Sequence, residues 1–232
     1  MIPIALVYSE FYNNGEAGIA VYQEAEDSSK VMIVDVTSNN NQEDGMYLTG
    51  TGITVNNANI KNNGDDGLVI GSLEENEITL AGDITVTNND DHGLVTFSSS
   101  KGTVSITGNV DLNRNGRNGL DSSFSDSLTI AVGSSNSGKS GKSGSGSLTA
   151  CGNVLYDIDN VDGSTFIGSD FTCDTTDGDG PDVPDCKPCF PGCDEPSGTS
   201  QSQAMAEETM TMGSSMAGTH HKADEHEPNP AY

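Results

Sequence analysis

Basic residues are scarce in this chain, which has 9 Lys and Arg residues against 35 Asp and Glu residues, for a formal charge of −26. Nucleic acids and anionic membranes attract proteins through basic surfaces, so this imbalance argues against both as partners. The same imbalance permits divalent cations, basic polymers and neutral sugars as ligands.

Tryptophan and long apolar stretches are also missing. No segment approaches the ~20 apolar residues of a membrane-spanning helix, so we expect no membrane insertion. The apolar run at residues 2–7 is too short for the core of a secretion signal. Hydrophobic residues make up 33% of the chain. That fraction is low for a globular core but sufficient for a thin solenoid, whose coils each bury only a few aliphatic side chains.

The chain does contain a repeated motif, Asn-x-x-x-Gly followed by an apolar residue. The motif occurs five times, beginning at Asn14, Asn41, Asn63, Asn89 and Asn115. By subtraction, its glycines are 27, 22, 26 and 26 residues apart. A nearly fixed period in this range is typical of repeat architectures.

The residues that precede each motif alternate between apolar and polar, which is the pattern of β-strands. The seventh residue before each glycine is mostly apolar: Phe11, Ser38, Ile60, Val86 and Leu112. The eighth is always polar: Glu10, Thr37, Asn59, Thr85 and Asp111. Because equivalent residues recur one full period apart, the pattern predicts coils stacked in register as parallel strands ~4.8 Å apart. An antiparallel meander would not need a constant full-coil period.

The motif itself predicts the corners of each coil. We expect the five asparagines to form a column in which side-chain amides bond from coil to coil. We also expect these asparagines to adopt the left-handed backbone conformation that Asn tolerates. The glycine four residues later suits a second corner with positive φ.

The segments Asn13-Asn14-Gly15, Asn62-Asn63-Gly64, Asn88-Asn89 and Asn113 to Gly119 are each followed by a short apolar strand. With these features, residues 1–132 resemble right-handed parallel β-helix proteins of the pectate-lyase-like superfamily in the broad sense. The resemblance implies an all-β, right-handed, single-stranded parallel β-helix. The handedness rests on the resemblance and on the rule for parallel crossovers. Because the chain opens inside an ordinary repeat, we expect an incomplete N-terminus, that is, a fragment of a longer protein.

The period breaks after residue 132. Residues 133–147 are rich in Gly and Ser and predict a flexible loop insertion. Residues 148–196 predict the last coil and a C-terminal cap rich in Cys and Asp. Residues 197–232 lack periodicity and are expected to be disordered.

All five cysteines lie in the second half, at Cys151, Cys173, Cys186, Cys189 and Cys193. Their confinement to a poorly apolar segment indicates disulfides and an extracellular or cell-surface protein. Cys151–Cys173 is the first expected pair, and the odd number leaves one thiol unpaired or shared with another chain. The alternative is metal binding by Cys186, Cys189 and Cys193, although a closed zinc site needs four ligands.

Acidic residues cluster just before the motif glycines. The two positions before each glycine hold Glu16-Ala17, Glu43-Asp44, Asp65-Asp66, Asp91-His92 and Arg117-Asn118. If the coils stack in register, Asp44, Asp65, Asp66 and Asp91 line one edge, and calcium is the candidate cofactor because it accepts oxygen-rich sites. The alternative is that these corner residues are exposed and acidic for solubility.

The same edge supports an enzyme hypothesis. Asp65 and Asp91 would lie near the ~5 Å carboxylate separation of retaining glycosidases, with His92 as an acid or base. However, the chain lacks the separate paired-Asp, Gly-His-Gly and Arg-x-Lys elements of polygalacturonases, and no aromatic cluster for sugar stacking is evident.

A shared fold is weak evidence of shared activity. We therefore expect a non-catalytic extracellular or cell-surface module, for binding or for structure. Its flat sheet lined by Thr, Asn and Asp would contact polysaccharide or mineral surfaces. The alternative function is a polysaccharide lyase or glycoside hydrolase, truncated or degenerate.

Overall fold

The structure, a computed structural model, describes residues 4–23, 29–71, 77–98, 101–125, 128–133, 146–160, 164–178 and 184–189. These residues form β-strands and no helix, so none of them forms a helix able to cross a membrane. The predicted tail at 197–232, most of the predicted insertion at 133–147, and Cys193 lie outside the described residues.

The strands follow one another along the whole described chain. In order, they are β1 (Ile4–Val7), β2 (Glu10–Tyr12), β3 (Ile19–Tyr22), β4 (Val31–Asn39), β5 (Met46–Thr49), β6 (Ile53–Lys61), β7 (Leu68–Gly71), β8 (Glu77–Thr87), β9 (Leu94–Ser98), β10 (Gly102–Ile106), β11 (Asn109–Asn113), β12 (Leu120–Ser125), β13 (Leu128–Val132), β14 (Ser147–Thr149), β15 (Ile158–Asp159), β16 (Thr165–Ile167), β17 (Phe171–Thr172) and β18 (Thr176–Asp177).

The described strands stack in parallel, coil on coil, in two sheets. A seven-stranded sheet runs in the order β3-β5-β7-β9-β12-β15-β18. An eleven-stranded sheet holds the path β1-β4-β6-β8-β10-β13-β16, with the branches β2-β4 and β8-β11-β14-β17. The long strands β4, β6 and β8 bend at Asp35, Asn57 and Gly82, where φ is 54°, 57° and 67°. The bend divides this sheet into two faces, and the molecule is the parallel β-solenoid that the sequence predicts.

The predicted register is confirmed. Ser38 pairs with Ile60, Ile60 with Val86, and Val86 with Leu112. Ile60, Val86 and Leu112 are each 0% exposed. Burial of one such aliphatic side chain is worth about 1.5–3 kcal/mol, and every coil adds several to one continuous core. The stack also continues into β16–β18, a segment that the sequence assigned to the cap.

The motif asparagines form the predicted column. From Asn14 to Asn89, each amide Nδ2 donates to Oδ1 of the next motif asparagine at 2.8–3.0 Å. The backbone N–H of the same residue donates to the same oxygen at 3.1–3.2 Å. Asn41, Asn63 and Asn89 are at most 3% exposed. The column therefore satisfies backbone donors that a buried corner would otherwise leave unpaired.

The left-handed corner lies one residue before the column, so the expected conformation of the column asparagines is wrong. Asn13, Asn40, Asn62, Asn88 and Arg114 have φ between 52° and 58°. The corner residue makes the turn, and the asparagine after it is left free to direct its amide along the stack.

The motif glycines do not have positive φ, so that expectation is also wrong. A Cβ added to Gly93 would lie 2.6 Å from Nδ2 of Asn115 and 2.6 Å from the carbonyl oxygen of Gly119. Gly67 and Gly119 are crowded in the same way by the next asparagine of the column, Asn89 and Asn153. The motif requires glycine because the asparagine of the following coil occupies the space of a side chain.

The column continues one coil beyond the five motif copies and ends on a carboxylate. Nδ2 of Asn115 donates to Oδ1 of Asn153 at 3.2 Å, and Nδ2 of Asn153 donates to Oδ1 of Asp157 at 3.0 Å. Asp157 stands at the motif glycine position, and its Oδ2 accepts the N–H groups of Asp174 and Thr175 at 2.8 and 3.2 Å. Asp157 thus replaces the asparagine of a further coil as the last acceptor.

The disulfides are Cys151–Cys189 and Cys173–Cys186. The expected Cys151–Cys173 pair is therefore wrong, and Cys186 and Cys189 are not metal ligands. The physical reason is the segment 184–189, which lies beside β17: Lys187 N–H donates to Phe171 O at 2.9 Å, and Cys173 N–H donates to Lys187 O at 3.0 Å. Each cysteine of the stack therefore finds its partner on this segment.

We expect Gly93→Ala to destabilise the protein by about 1–3 kcal/mol, because overpacking forces the column apart. Gly15→Ala is the matched control, since a Cβ there meets nothing within 4 Å. Chemical denaturation of both variants measures the difference. Equal stabilities would contradict the steric explanation of the motif glycine.

We expect Asn89→Ala to lower the free energy of unfolding more than Asn59→Ala does. The first substitution removes the acceptor of the Asn63 backbone N–H and amide, and a buried unsatisfied group costs about 1–3 kcal/mol. Asn59 is exposed, and such surface changes stay within about 0.5 kcal/mol. Urea denaturation compares the two variants, and similar losses would show that the column is not a main source of stability.

Candidate functional site

The residues just before the motif glycines form a second hydrogen-bonded column. Oδ1 of Asp44 accepts the N–H of Asp66 at 3.2 Å, and Oδ1 of Asp66 accepts the N–H of His92 at 2.9 Å. Oδ1 of Asn118 accepts the N–H of Tyr156 at 3.2 Å. These side chains therefore satisfy backbone donors of the next coil, and Asn118 shows that an amide serves as well as a carboxylate.

The predicted calcium residues come together in two overlapping groups. Asp44, Asp65 and Asp66 offer oxygen atoms within 4.8 Å of one another, and so do Asp66, Asp91 and His92 with one ligand atom each. Asp66 belongs to both groups. The edge is thus divided into an all-oxygen group and a group that contains an imidazole.

Burial, and after it the neighbouring carboxylates, raise the pKa of two members of the first group. Burial raises the pKa of Asp44 from 3.8 to about 7, and the negative charges of Asp66, Asp65 and Glu43 add to this effect, although a hydrogen bond from the Asp66 backbone opposes it. Burial, followed by the charges of Asp66 and Asp91, also raises the pKa of Asp65.

His92 is enclosed by three carboxylates, and its side chain is 8% exposed. Nδ1 lies 2.9 Å from Oδ1 of Asp66 and 3.8 Å from Oδ2 of Asp91. Nε2 lies 3.3 Å from Oδ2 of Asp121, but the geometry makes no hydrogen bond. Burial disfavours the imidazolium, yet the Asp66 hydrogen bond and the surrounding charges outweigh it and raise the pKa of His92.

The proposed catalytic pair is poorly suited to its role. Asp91 is engaged by Arg117, with Nε 3.2 Å from Oδ1 and Nη1 3.3 Å from Oδ2. Asp65 is exposed on the neighbouring coil. Of the three predicted catalytic residues, only His92 is buried.

Aromatic side chains form a row on the outer face of the seven-stranded sheet. The ring centroids of Tyr22 and Tyr47 are 5.4 Å apart, and those of Tyr47 and Phe97 are 6.0 Å apart. The Phe97 ring fills the space that a Cβ of Gly71 would occupy. The row therefore continues across β7, the strand that lies between Tyr47 in β5 and Phe97 in β9. Sequence reasoning missed this cluster. The sequence does contain a signal for it, because each of these aromatic residues stands two or four residues after a motif glycine.

The same outer face changes character along the stack. Register pairs Tyr47 with Val69, Val69 with Val95, Val95 with Asp121, and Asp121 with Asp159. Val69 and Val95 are 4% and 7% exposed although they lie outside the central core. The face is therefore aromatic and aliphatic over its first coils and acidic over its last.

The aromatic row adjoins the acidic group of Asp44. Burial, the Tyr22 hydroxyl and the Asp44 charge, in that order, raise the pKa of Tyr47. A ligand on the row would therefore have both apolar ring surface and carboxylate acceptors within reach.

The polar sheet predicted as a contact surface lies on another face. Thr37, Asn59, Thr85 and Asp111 stack there in register. At the adjacent bend, Nδ2 of Asn57 donates to Asp35 and Nδ2 of Asn109 donates to Asp83, each at 2.9 Å. A shallow groove of about 260 Å³ runs along this bend.

Comparison of the chain with protein-family models, curated proteins and solved structures finds no match. The structure shows a parallel β-solenoid, and the resemblance to the pectate-lyase-like superfamily stays a prediction.

The pKa of Asp44 predicts how stability depends on pH. Between about pH 4 and pH 7 the folded state holds a proton that the unfolded chain releases, so the free energy of unfolding falls as pH rises through this window. Asp44→Asn keeps an acceptor oxygen, as Asn118 does, and removes the charge. We expect this variant to gain stability over the wild type as pH rises to 8.

Denaturation at several pH values measures this effect, with Asp90→Asn as the control because Asp90 is exposed. Parallel wild-type and Asp44→Asn profiles would show that Asp44 ionises freely in the folded protein.

Proposed function

We propose that this protein is a non-catalytic extracellular or cell-surface module that binds polysaccharide on the outer face of its seven-stranded sheet. The observation that carries the proposal is the row of Tyr22, Tyr47 and Phe97. Aromatic rings offer large, rigid apolar surfaces, and the C–H faces of sugar rings stack on such surfaces. Membership of the pectate-lyase-like superfamily is part of this proposal.

The architecture suits a polymer better than a compact small molecule. Parallel coils repeat every ~4.8 Å, so the aromatic and aliphatic side chains of the first coils form one surface along the solenoid axis. Extended surfaces of this kind are how solenoids engage long ligands. The carboxyl group of Asp44, next to the row, supplies an acceptor for sugar hydroxyl groups.

The state of the acidic residues favours binding over catalysis. Asp91 is paired with Arg117, and Asp44 and Asp66 accept backbone N–H groups. The alternative, a polysaccharide lyase or glycoside hydrolase, is favoured by one observation. Asp66 is hydrogen-bonded to His92, and Asp121 lies beyond the other ring nitrogen. Incubation of the protein with the polysaccharides that it binds, followed by assay for new reducing ends or unsaturated products, tests this alternative.

The extracellular location is supported by the two disulfides, Cys151–Cys189 and Cys173–Cys186. Such bonds persist in oxidising compartments and are rare in the cytosol. Calcium enters the proposal as a candidate ligand of the Asp44, Asp65 and Asp66 group, so binding assays should be run both with calcium and with a chelator.

We expect Tyr22→Ala and Tyr47→Ala each to weaken polysaccharide binding roughly tenfold, which corresponds to about 1.4 kcal/mol. Affinity electrophoresis against neutral, basic and acidic polysaccharides identifies the ligand, and calorimetry measures the loss. Tyr8→Ala is the matched control, because Tyr8 is 81% exposed and makes no ring contact with the row.

A second control tests the polar face. The double variant Asn59→Ala, Thr85→Ala should bind like the wild type. If it loses affinity while the tyrosine variants retain theirs, the ligand lies on the polar sheet and the aromatic row is not the binding site. No binding to any polysaccharide would overturn the proposal.

A further inference from the structure

We propose that Asp66, Asp91 and His92 form a binding site for a divalent transition-metal ion of the zinc class. The site would hold the ion with two carboxylate oxygens and the Nδ1 atom of the imidazole. This proposal is independent of polysaccharide binding.

The distances between ligand atoms fit such an ion. Nδ1 of His92 lies 2.9 Å from Oδ1 of Asp66 and 3.8 Å from Oδ2 of Asp91. Zinc bonds of ~2.0–2.2 Å to nitrogen and oxygen place the ligands of a tetrahedral site ~3.3 Å apart. The two observed distances lie on either side of this value, so small side-chain rotations would close the site.

The buried imidazole is the second observation that points to a metal. Nε2 of His92 has no hydrogen-bond partner among the described residues, although the side chain is 8% exposed. If Nδ1 carries the proton shared with Asp66, the Nε2 lone pair faces the Asp121 carboxylate at 3.3 Å. A metal on Nδ1 would place the ring proton on Nε2 instead, 3.3 Å from Oδ2 of Asp121.

This arrangement matches the usual surroundings of a metal-bound histidine. Such a histidine donates its second ring N–H to a carboxylate, which fixes the ring and its tautomer. Asp121 would fill that role here after a small rotation, since its Oδ2 lies 3.3 Å from Nε2 without yet making a hydrogen bond. Arg117 holds the Asp91 carboxylate, and the His92 backbone N–H holds Asp66. Supporting contacts therefore exist around both carboxylate ligands, and a carboxylate stands near the second ring nitrogen of the imidazole.

The choice of metal follows from the ligand atoms. Imidazole nitrogen suits zinc, copper and nickel, whereas all-oxygen sites suit calcium and magnesium. The Asp44, Asp65 and Asp66 group contains oxygen ligands only. Three protein ligands also leave a fourth zinc position for water or a bound group, and the Asp91 side chain, 27% exposed, leaves the site open to solvent.

The test uses the full chain in a background that removes competing histidines. The chain has four histidines, and His220, His221 and His226 lie near its C-terminus. In the variant His220→Ala, His221→Ala, His226→Ala, zinc and calcium chloride are titrated separately by calorimetry at pH 8, where metal ligands lose their protons more readily. We expect one zinc ion per chain and weaker calcium binding.

His92→Asn in this background should lower zinc affinity at least tenfold. Asn118 occupies the same column position in the next coil, so asparagine fits the fold, and circular dichroism checks folding. Asp91→Asn is a second ligand variant, should the first not fold. Asp121→Asn should lower zinc affinity by about 10–100-fold through the supporting contact.

Asp90→Asn is the matched control, because it removes a neighbouring exposed carboxylate outside the site, and it should leave zinc affinity nearly unchanged. Zinc binding that is equally strong with and without His92, or no zinc binding at millimolar concentration, would overturn the proposal. Calcium binding that is tighter than zinc binding and is lost in Asp91→Asn would assign the site to a different metal class and would overturn it as well.

Discussion

Each asparagine of the central column holds two coils together. Its amide and its backbone N–H both donate to the oxygen of the next asparagine, and its own oxygen accepts the same two bonds from the coil before. This interaction works only if the coils are in register, because a shift of one residue would turn the amide away from its partner. The motif glycine serves the same contact by leaving room for the neighbouring amide.

The candidate site depends on that register. The column before the glycine places Asp44, Asp66 and His92 one above another, and the side chains of Asp44 and Asp66 each accept a backbone N–H of the next coil. The outward-facing residues of the strand that follows stand at fixed positions, two and four residues after the glycine. Tyr22, Tyr47 and Phe97 thus meet on one face although they are far apart in the chain. One structural constraint therefore aligns both the acidic edge and the aromatic row.

The sequence predicted the fold well because a solenoid repeats its local rules. Parallel stacking, register and the asparagine column all followed from spacing. The two conformational errors came from assigning local preferences without neighbours. The motif predicts a left-handed turn at Asn63, but Asn62 makes that turn. It predicts a positive φ at Gly93, but the actual constraint on Gly93 is the amide of Asn115. The Cys151 partner was also wrong, because the segment beside β17 breaks the repeat.

Sequence alone determined the period, the core positions and the acidic edge, since these depend on residue type at a fixed interval. Tertiary structure alone decided which carboxylates accept backbone N–H groups, which one Arg117 neutralises, and that His92 is buried between Asp66 and Asp121. It also decided that aromatic residues from different coils form one row. These outcomes depend on side-chain direction across coils, and a linear pattern does not contain that direction until the strands are stacked.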